Sequence, residues 1–88
     1  MRRQIWKFAI GSTVPKISMP RGAEILTVQV QHGVPTIWAL VDTDAPKVNR
    51  LVRVYGTGWD LPKHVLGERY IGTWQQDDGL VWHLFEEV

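Results

Sequence analysis

Apolar and polar residues exchange at nearly every position along much of this chain. From Gln4 to Ile10 (QIWKFAI) the alternation places Trp6, Phe8 and Ile10 on one face, and a period of two marks a half-buried strand. Val14 to Met19 predicts a second short strand, displaced towards an edge by Pro15, which has no ladder donor. Met19-Pro20-Arg21-Gly22 predicts a turn, with proline presetting φ and glycine open to positive φ. Glu24 to Gln31 predicts a strand with Leu26, Val28 and Val30 inward and Thr27, Gln29 and Gln31 on a polar face. His32-Gly33 fits a tight hairpin turn. Val34 to Val41 then returns as an almost continuous apolar run, expected to be covered on both faces, which puts Trp38 in the core.

Asp42 to Lys47 reads as a polar loop. Asn49 to Tyr55 (NRLVRVY) alternates again, with Leu51, Arg53 and Tyr55 opposed to Val52 and Val54. Gly56 to Glu68 (GTGWDLPKHVLGE) is the one substantial irregular segment, with a helical turn expected inside Leu61 to Leu66. Arg69 to Gln75 and Leu80 to Glu86 predict a closing hairpin over Gln76-Asp77-Asp78-Gly79. Tyr55-Gly56-Thr57 is echoed by Tyr70-Ile71-Gly72-Thr73, a likeness too brief to make a repeat architecture. These elements predict an all-β domain over residues 1–88. It is a small antiparallel sandwich or partly open barrel of about six to seven short strands. The edges of such a fold need a cover, and a second copy would supply one, so a homo-oligomer is expected.

Composition sharpens this picture. A chain of 88 residues buries only about 60% of the surface its unfolded form exposes. The absence of cysteine removes disulfides, zinc–thiolate sites and cysteine nucleophiles together. Five tryptophans compensate with large buried area. A net charge of +1 gives no field to draw in nucleic acid or an anionic membrane. No apolar run has a membrane-spanning length, so a cytoplasmic location is expected. Arg2, Arg3 and Lys7 open the chain and Asp77, Asp78, Glu86 and Glu87 lie near its end; pairing of the terminal strands would bring them together.

Several stretches, taken in order, carry a likeness: Ile5-Trp6-Lys7, Met19 to Leu26, Gln29 to Pro35, Trp38 to Asp42, Gly56-Thr57-Gly58 and Val81 to Glu86. Together they resemble a family of small tailed-phage and prophage proteins known as a domain of unknown function. The resemblance implies a viral accessory role in the host cell cytoplasm and supplies no catalytic residues.

Candidate chemistry is sparse. His32 lies in a hairpin turn, His64 in the long loop and His83 in the last strand. No nucleophile-elbow pattern surrounds Ser12, Ser18, Thr57 or Thr73, so no catalytic residue is assigned and His83 is read as a hydrogen-bonded strand histidine. Asp42-Thr43-Asp44 begins like a calcium loop but continues without the required acidic and glycine positions; it reads as a capped turn, and neither metal nor cofactor is expected. The densest combination of charge, glycine and exposed aromatic is Arg53, Gly56, Thr57, Gly58, Trp59, Lys63, His64 and Arg69. Glycines let backbone N–H groups converge on an anion, Arg53 can pair with it, and Trp59 can stack on a base. Trp6, Trp38, Trp74 and Trp82 lie within strands and read as packing. The expectation is a non-enzymatic binding module that captures a small anionic, nucleotide-like ligand or blocks a host protein. The alternative is a virion assembly component that works through protein contacts alone.

Overall fold

The computed structural model describes residues 2–11 and 16–87. The alternating segments form β1 (Arg3–Ala9), β2 (Lys16–Pro20), β3 (Glu24–Gln31), β4 (Val34–Asp42), β5 (Lys47–Gly56), β6 (Glu68–Gln75) and β7 (Val81–Glu87). A 3₁₀ helix, Lys63–Gly67, falls in the long connection before β6. One sheet has the order β1-β4-β3 and the other β2-β5-β7-β6, every pairing antiparallel. The expected all-β sandwich or partly open barrel is therefore present, with sheets that do not close into a barrel.

Glycine decides where the sheets approach. β3 lies alongside β6, and a Cβ added to Gly72 would sit 2.9 Å from Val28 Cγ1. Arg69 Nη2 donates across the same seam to the carbonyl of Ile25 at 3.0 Å. The core between the sheets is built on Met19, Ile25, Ile37, Val52, Trp74 and Leu84, with Trp6, Phe8 and Trp82 packed against it. At one end of this core Glu86 is buried and accepts from Arg50 Nε at 2.6 Å, while Arg50 Nη1 donates to the Ala23 carbonyl at 2.8 Å.

Three details differ from the sequence reading. Leu26 is exposed rather than inward, whereas Ile25 and Val28 are buried; Val30 shares the face of Val28 but is exposed towards the end of the strand. The register shifts between Ile25 and Thr27, and such a bulge inserts one residue and resets which side chains face the core. Trp38 and Leu40 are half-buried on the outer face of β4, opposite Lys7 and Ile5 of β1, so that run is fully covered on its inner face only. The terminal strands belong to different sheets; the acidic end of the chain meets Arg50 and Arg53 of β5 instead of the basic start. The second strand begins at Lys16, and Val14 and Pro15 of the predicted strand lie outside the described residues.

Turn chemistry follows the sequence closely. His32 and Gly33 both have positive φ (51° and 78°), the signature of a type I′ hairpin. Asp42 Oδ1 accepts from the Asp44 N–H at 3.0 Å, the capped turn read from Asp-Thr-Asp. No helix among the described residues is long and apolar enough to cross a membrane.

Candidate functional site

Strand β7 is flanked by β5 and β6, and the outer face of these three strands carries the site. Tyr55 pairs with His83 across one ladder and Thr73 with His83 across the other. Phe85 lies between Arg53 and Tyr70 in the same way. Both tyrosines set their rings edge-on to Phe85, at centroid distances of 5.5 Å for Tyr55 and 5.4 Å for Tyr70. Both threonines hydrogen-bond the same imidazole. Thr57 Oγ1 lies 2.7 Å from His83 Nε2, and Thr73 Oγ1 lies 2.9 Å from Nδ1.

The proton order along this chain follows from its ends. Thr57 Oγ1 donates to the Val81 carbonyl at 3.1 Å, so it accepts from His83 Nε2–H. In the tautomer with the proton on Nε2, Nδ1 accepts from Thr73, whose oxygen accepts from the Tyr70 hydroxyl. Among the described residues no carboxylate orients the imidazole, because each ring nitrogen is already taken by a threonine. His83 is thus a hydrogen-bonded strand histidine, as its position in the sequence implied.

The loop Gly56–Trp59 folds over the end of β5. The Trp59 N–H donates to the Gly56 carbonyl at 3.3 Å, and Gly58 at the third position has φ 86°, which glycine adopts without penalty. The Trp59 indole occupies the space a Gly56 side chain would fill, since a Cβ there would meet its Cε2 and Nε1 at 2.6 Å. Across that gap Trp59 stands perpendicular to Trp82, with centroids 5.5 Å apart and an interplanar angle of 90°. It remains 57% exposed. One cleft beside it, of about 220 Å³, is lined by Tyr55, Leu61, Tyr70, His83 and Phe85 along with the loop. A second, of about 250 Å³, lies towards Leu80, Val81 and Trp82.

Two of the charged residues predicted for the site, Arg53 and Arg69, are engaged by groups of the fold. Arg53 Nε donates to Glu68 at 2.8 Å and Nη2 to Glu87 at 2.7 Å. The Glu68 hydrogen bond above all holds the guanidinium above its ordinary value, Glu87 adds to this, and burial opposes it. The side chain of Glu68 is almost fully buried and also accepts from the Tyr55 hydroxyl at 2.8 Å. Burial first, and then this carboxylate, push the Tyr55 phenol above its usual range. His64, on the 3₁₀ helix that begins at Lys63, places its Nε2 3.6 Å from Glu68. Arg69 points across the seam to β3.

The structure therefore brings Gly56, Thr57, Gly58 and Trp59 together, with Lys63 and His64 in the adjoining helix and Arg53 and Arg69 engaged in the fold. Two backbone donors of the loop are spent as well, Thr57 N–H on the Val81 carbonyl at 3.1 Å and Trp59 N–H on the Gly56 carbonyl. One guanidinium against two carboxylates leaves the Arg53 cluster short of positive charge. The arrangement suits a planar or apolar group laid against Trp59 better than a phosphate. Sequence reasoning missed Glu68, Tyr70, Thr73 and Phe85 as site residues. The echo of Tyr-Gly-Thr was the signal for Tyr70 and Thr73; nothing in the sequence singled out Glu68.

No curated protein and no solved structure matches the chain. A family model matches residues 1–88, and the chain belongs to the family described as Domain of unknown function (DUF7352).

Proposed function

We propose that this protein is a non-enzymatic binding module that docks a partner protein on the aromatic surface around Trp59. The observation that carries the reading is a large ring left more than half exposed while its position is fixed by Gly56 and Trp82. Exposed, immobilised aromatics are the residues that most often dominate interface energies, because little entropy is lost when they are buried. Leu61 and Leu66 in the same connection and Tyr70 at the start of β6 extend the exposed apolar surface. In the phage or prophage setting that the sequence resembles, the partner is a bacterial host protein and the module acts in the host cytoplasm. Self-association covers the edge strand β1, where Ile5 is exposed.

The test is affinity capture with wild type and Trp59→Ala in parallel, followed by reconstitution of the captured protein from purified components. A defined complex with wild type that weakens at least tenfold with Trp59→Ala supports the reading. Equal affinity for both variants overturns it. A nucleotide-like ligand keeps one favourable observation, the free face of Trp59 on which a base can stack. Calorimetry with a panel of cyclic nucleotides distinguishes it: heats present in wild type and lost in Trp59→Ala would move the function to that ligand.

A further inference from the structure

The cleft of about 220 Å³ beside Trp59 is smaller than the pockets that hold whole ligands, which begin at about 300 Å³. It has room for one head group. Tyr55, Trp59, Tyr70, His83 and Phe85 line it, with Leu61 and the glycine loop completing the rim. Tyr55 and Tyr70 are steeply inclined to Phe85, at 69° and 61°, so these rings form corners rather than a flat stack. Aromatic faces carry negative potential and attract a cation brought against them. The surrounding charge has the same sign. Glu68, Glu87 and Asp60 stand against Arg53 and Lys63 in and around the connection, and Arg69 is turned away to β3.

Hydrogen bonding sets the kind of cation. Among the described residues no carboxylate lines the cleft; Glu68 is buried and already accepts from Tyr55 and Arg53. The Gly56 carbonyl takes the Trp59 N–H, and the Thr57 hydroxyl is engaged by Val81 and His83. A primary ammonium or a guanidinium would give up its bonds to water there without replacement. A quaternary ammonium has no N–H to satisfy. We propose that this cleft is an aromatic cage for a quaternary ammonium head, presented by the partner as a trimethylated lysine. The inference rests on the docking surface proposed above and names the group that anchors in it. Leu61 and Leu66, exposed in the same connection, offer apolar surface to the residues flanking such a lysine, which a free choline-type cation would leave unused.

Proton NMR titration tests this with three probes: N-acetyl-trimethyllysine methylamide, choline, and neohexyl alcohol, the uncharged carbon isostere of choline. The expected result is a saturable upfield shift of the N-methyl resonances, as protons held over ring faces show. Choline should bind about tenfold more tightly than its isostere, and the lysine derivative at least as tightly as choline. Trp59→Leu keeps apolar bulk without a π face and should cost the cations about fivefold more than the isostere; Trp59→Phe should cost them less than Trp59→Leu. Absence of a saturable shift, an isostere that binds as tightly as choline, or equal losses of cation and isostere in Trp59→Leu overturns the cage. Choline held more tightly than the lysine derivative overturns the protein-borne head. A partner complex weakened by Trp59→Ala beside a cleft indifferent to cations leaves the docking reading standing and removes this one. Cation binding beside a partner complex indifferent to Trp59 keeps the cage and removes the docking reading together with the protein-borne head.

Discussion

The most direct perturbation of the Trp59 surface is Gly56→Ala, because it acts on the pedestal and leaves the ring itself unchanged. A Cβ at residue 56 would lie 2.6 Å from two atoms of the Trp59 indole, about 1 Å inside the ordinary carbon contact distance of about 3.5–4.0 Å. The backbone does not resist alanine, since Gly56 is not among the glycines with positive φ. Gly56 is held in its strand by pairing with Trp82, whereas Trp59 is exposed, so the indole is the group that moves. Losing its edge-to-face contact with Trp82 costs about 0.5–1.5 kcal/mol. Alanine recovers about 0.5–1 kcal/mol relative to glycine within a strand. The two nearly cancel, and the urea midpoint should lie within about 1 kcal/mol of wild type at an unchanged m-value. Recognition should not cancel. With the anchor displaced, affinity for the partner should fall by about 2 kcal/mol or more, roughly thirtyfold. Nuclear Overhauser contacts between the rings of Trp59 and Trp82 report the movement, and titration of the reconstituted complex reports the affinity. A variant that keeps both the ring contacts and full affinity, or one that loses more than about 3 kcal/mol of stability, would refute this account of Gly56.

Other consequences are equally specific. Gly72→Ala meets Val28 Cγ1 at 2.9 Å, and that neighbour is buried and β-branched, so unlike Gly56→Ala it should lose about 1–3 kcal/mol in urea unfolding. Arg50→Met strands the buried Glu86 carboxylate and should cost about 3 kcal/mol; Arg50→Met/Glu86→Met should recover most of that loss, because replacing both members of a buried pair is often neutral. The raised phenol of Tyr55 keeps its proton in the folded state after the unfolded chain has begun to lose it. Its contribution to stability is therefore whole below about pH 10 and is lost as pH climbs through the raised value. Wild type should accordingly lose stability above that pH more steeply than Tyr55→Phe, measured by urea midpoints across the alkaline range.

The fold was legible wherever local chemistry determined it. Alternation in QIWKFAI and NRLVRVY, His32-Gly33 and Asp78-Gly79 all act over a few residues, and each produced the element it predicted. Bulges were not legible, because an inserted residue shows only when the partner strand is known. Strict alternation through Glu24 to Gln31 therefore points Leu26 inward, whereas the bulge buries Ile25. The partners of the arginines were hidden for a similar reason. Arg53 and Glu87 are 34 residues apart, and no pattern in either segment announces that topology makes them neighbours. A cluster of positive residues in sequence thus read as an anion site, whereas folding spends Arg53 and Arg69 on carboxylates and a carbonyl.

The echo between Tyr55-Gly56-Thr57 and Tyr70-Ile71-Gly72-Thr73 acquires a physical meaning from β7. Strands on either side of a common neighbour face the same side chains, so one recipe serves both: a tyrosine against Phe85, a glycine where something must approach closely, and a threonine to His83. The second copy carries one residue more, and the ladder shifts register between Tyr70 and Gly72, so Ile71 is the bulge that keeps tyrosine and threonine on one face despite the insertion. Only one copy continues into a loop. Thr57 is fastened twice, to His83 and to the Val81 carbonyl, and Trp59 follows two residues later. The imidazole therefore anchors the base of the loop, and its second nitrogen is braced by Thr73 from the far strand. Trp59 owes its fixed yet exposed position to this clamp as much as to Gly56, which makes His83 a positioning residue for the recognition surface.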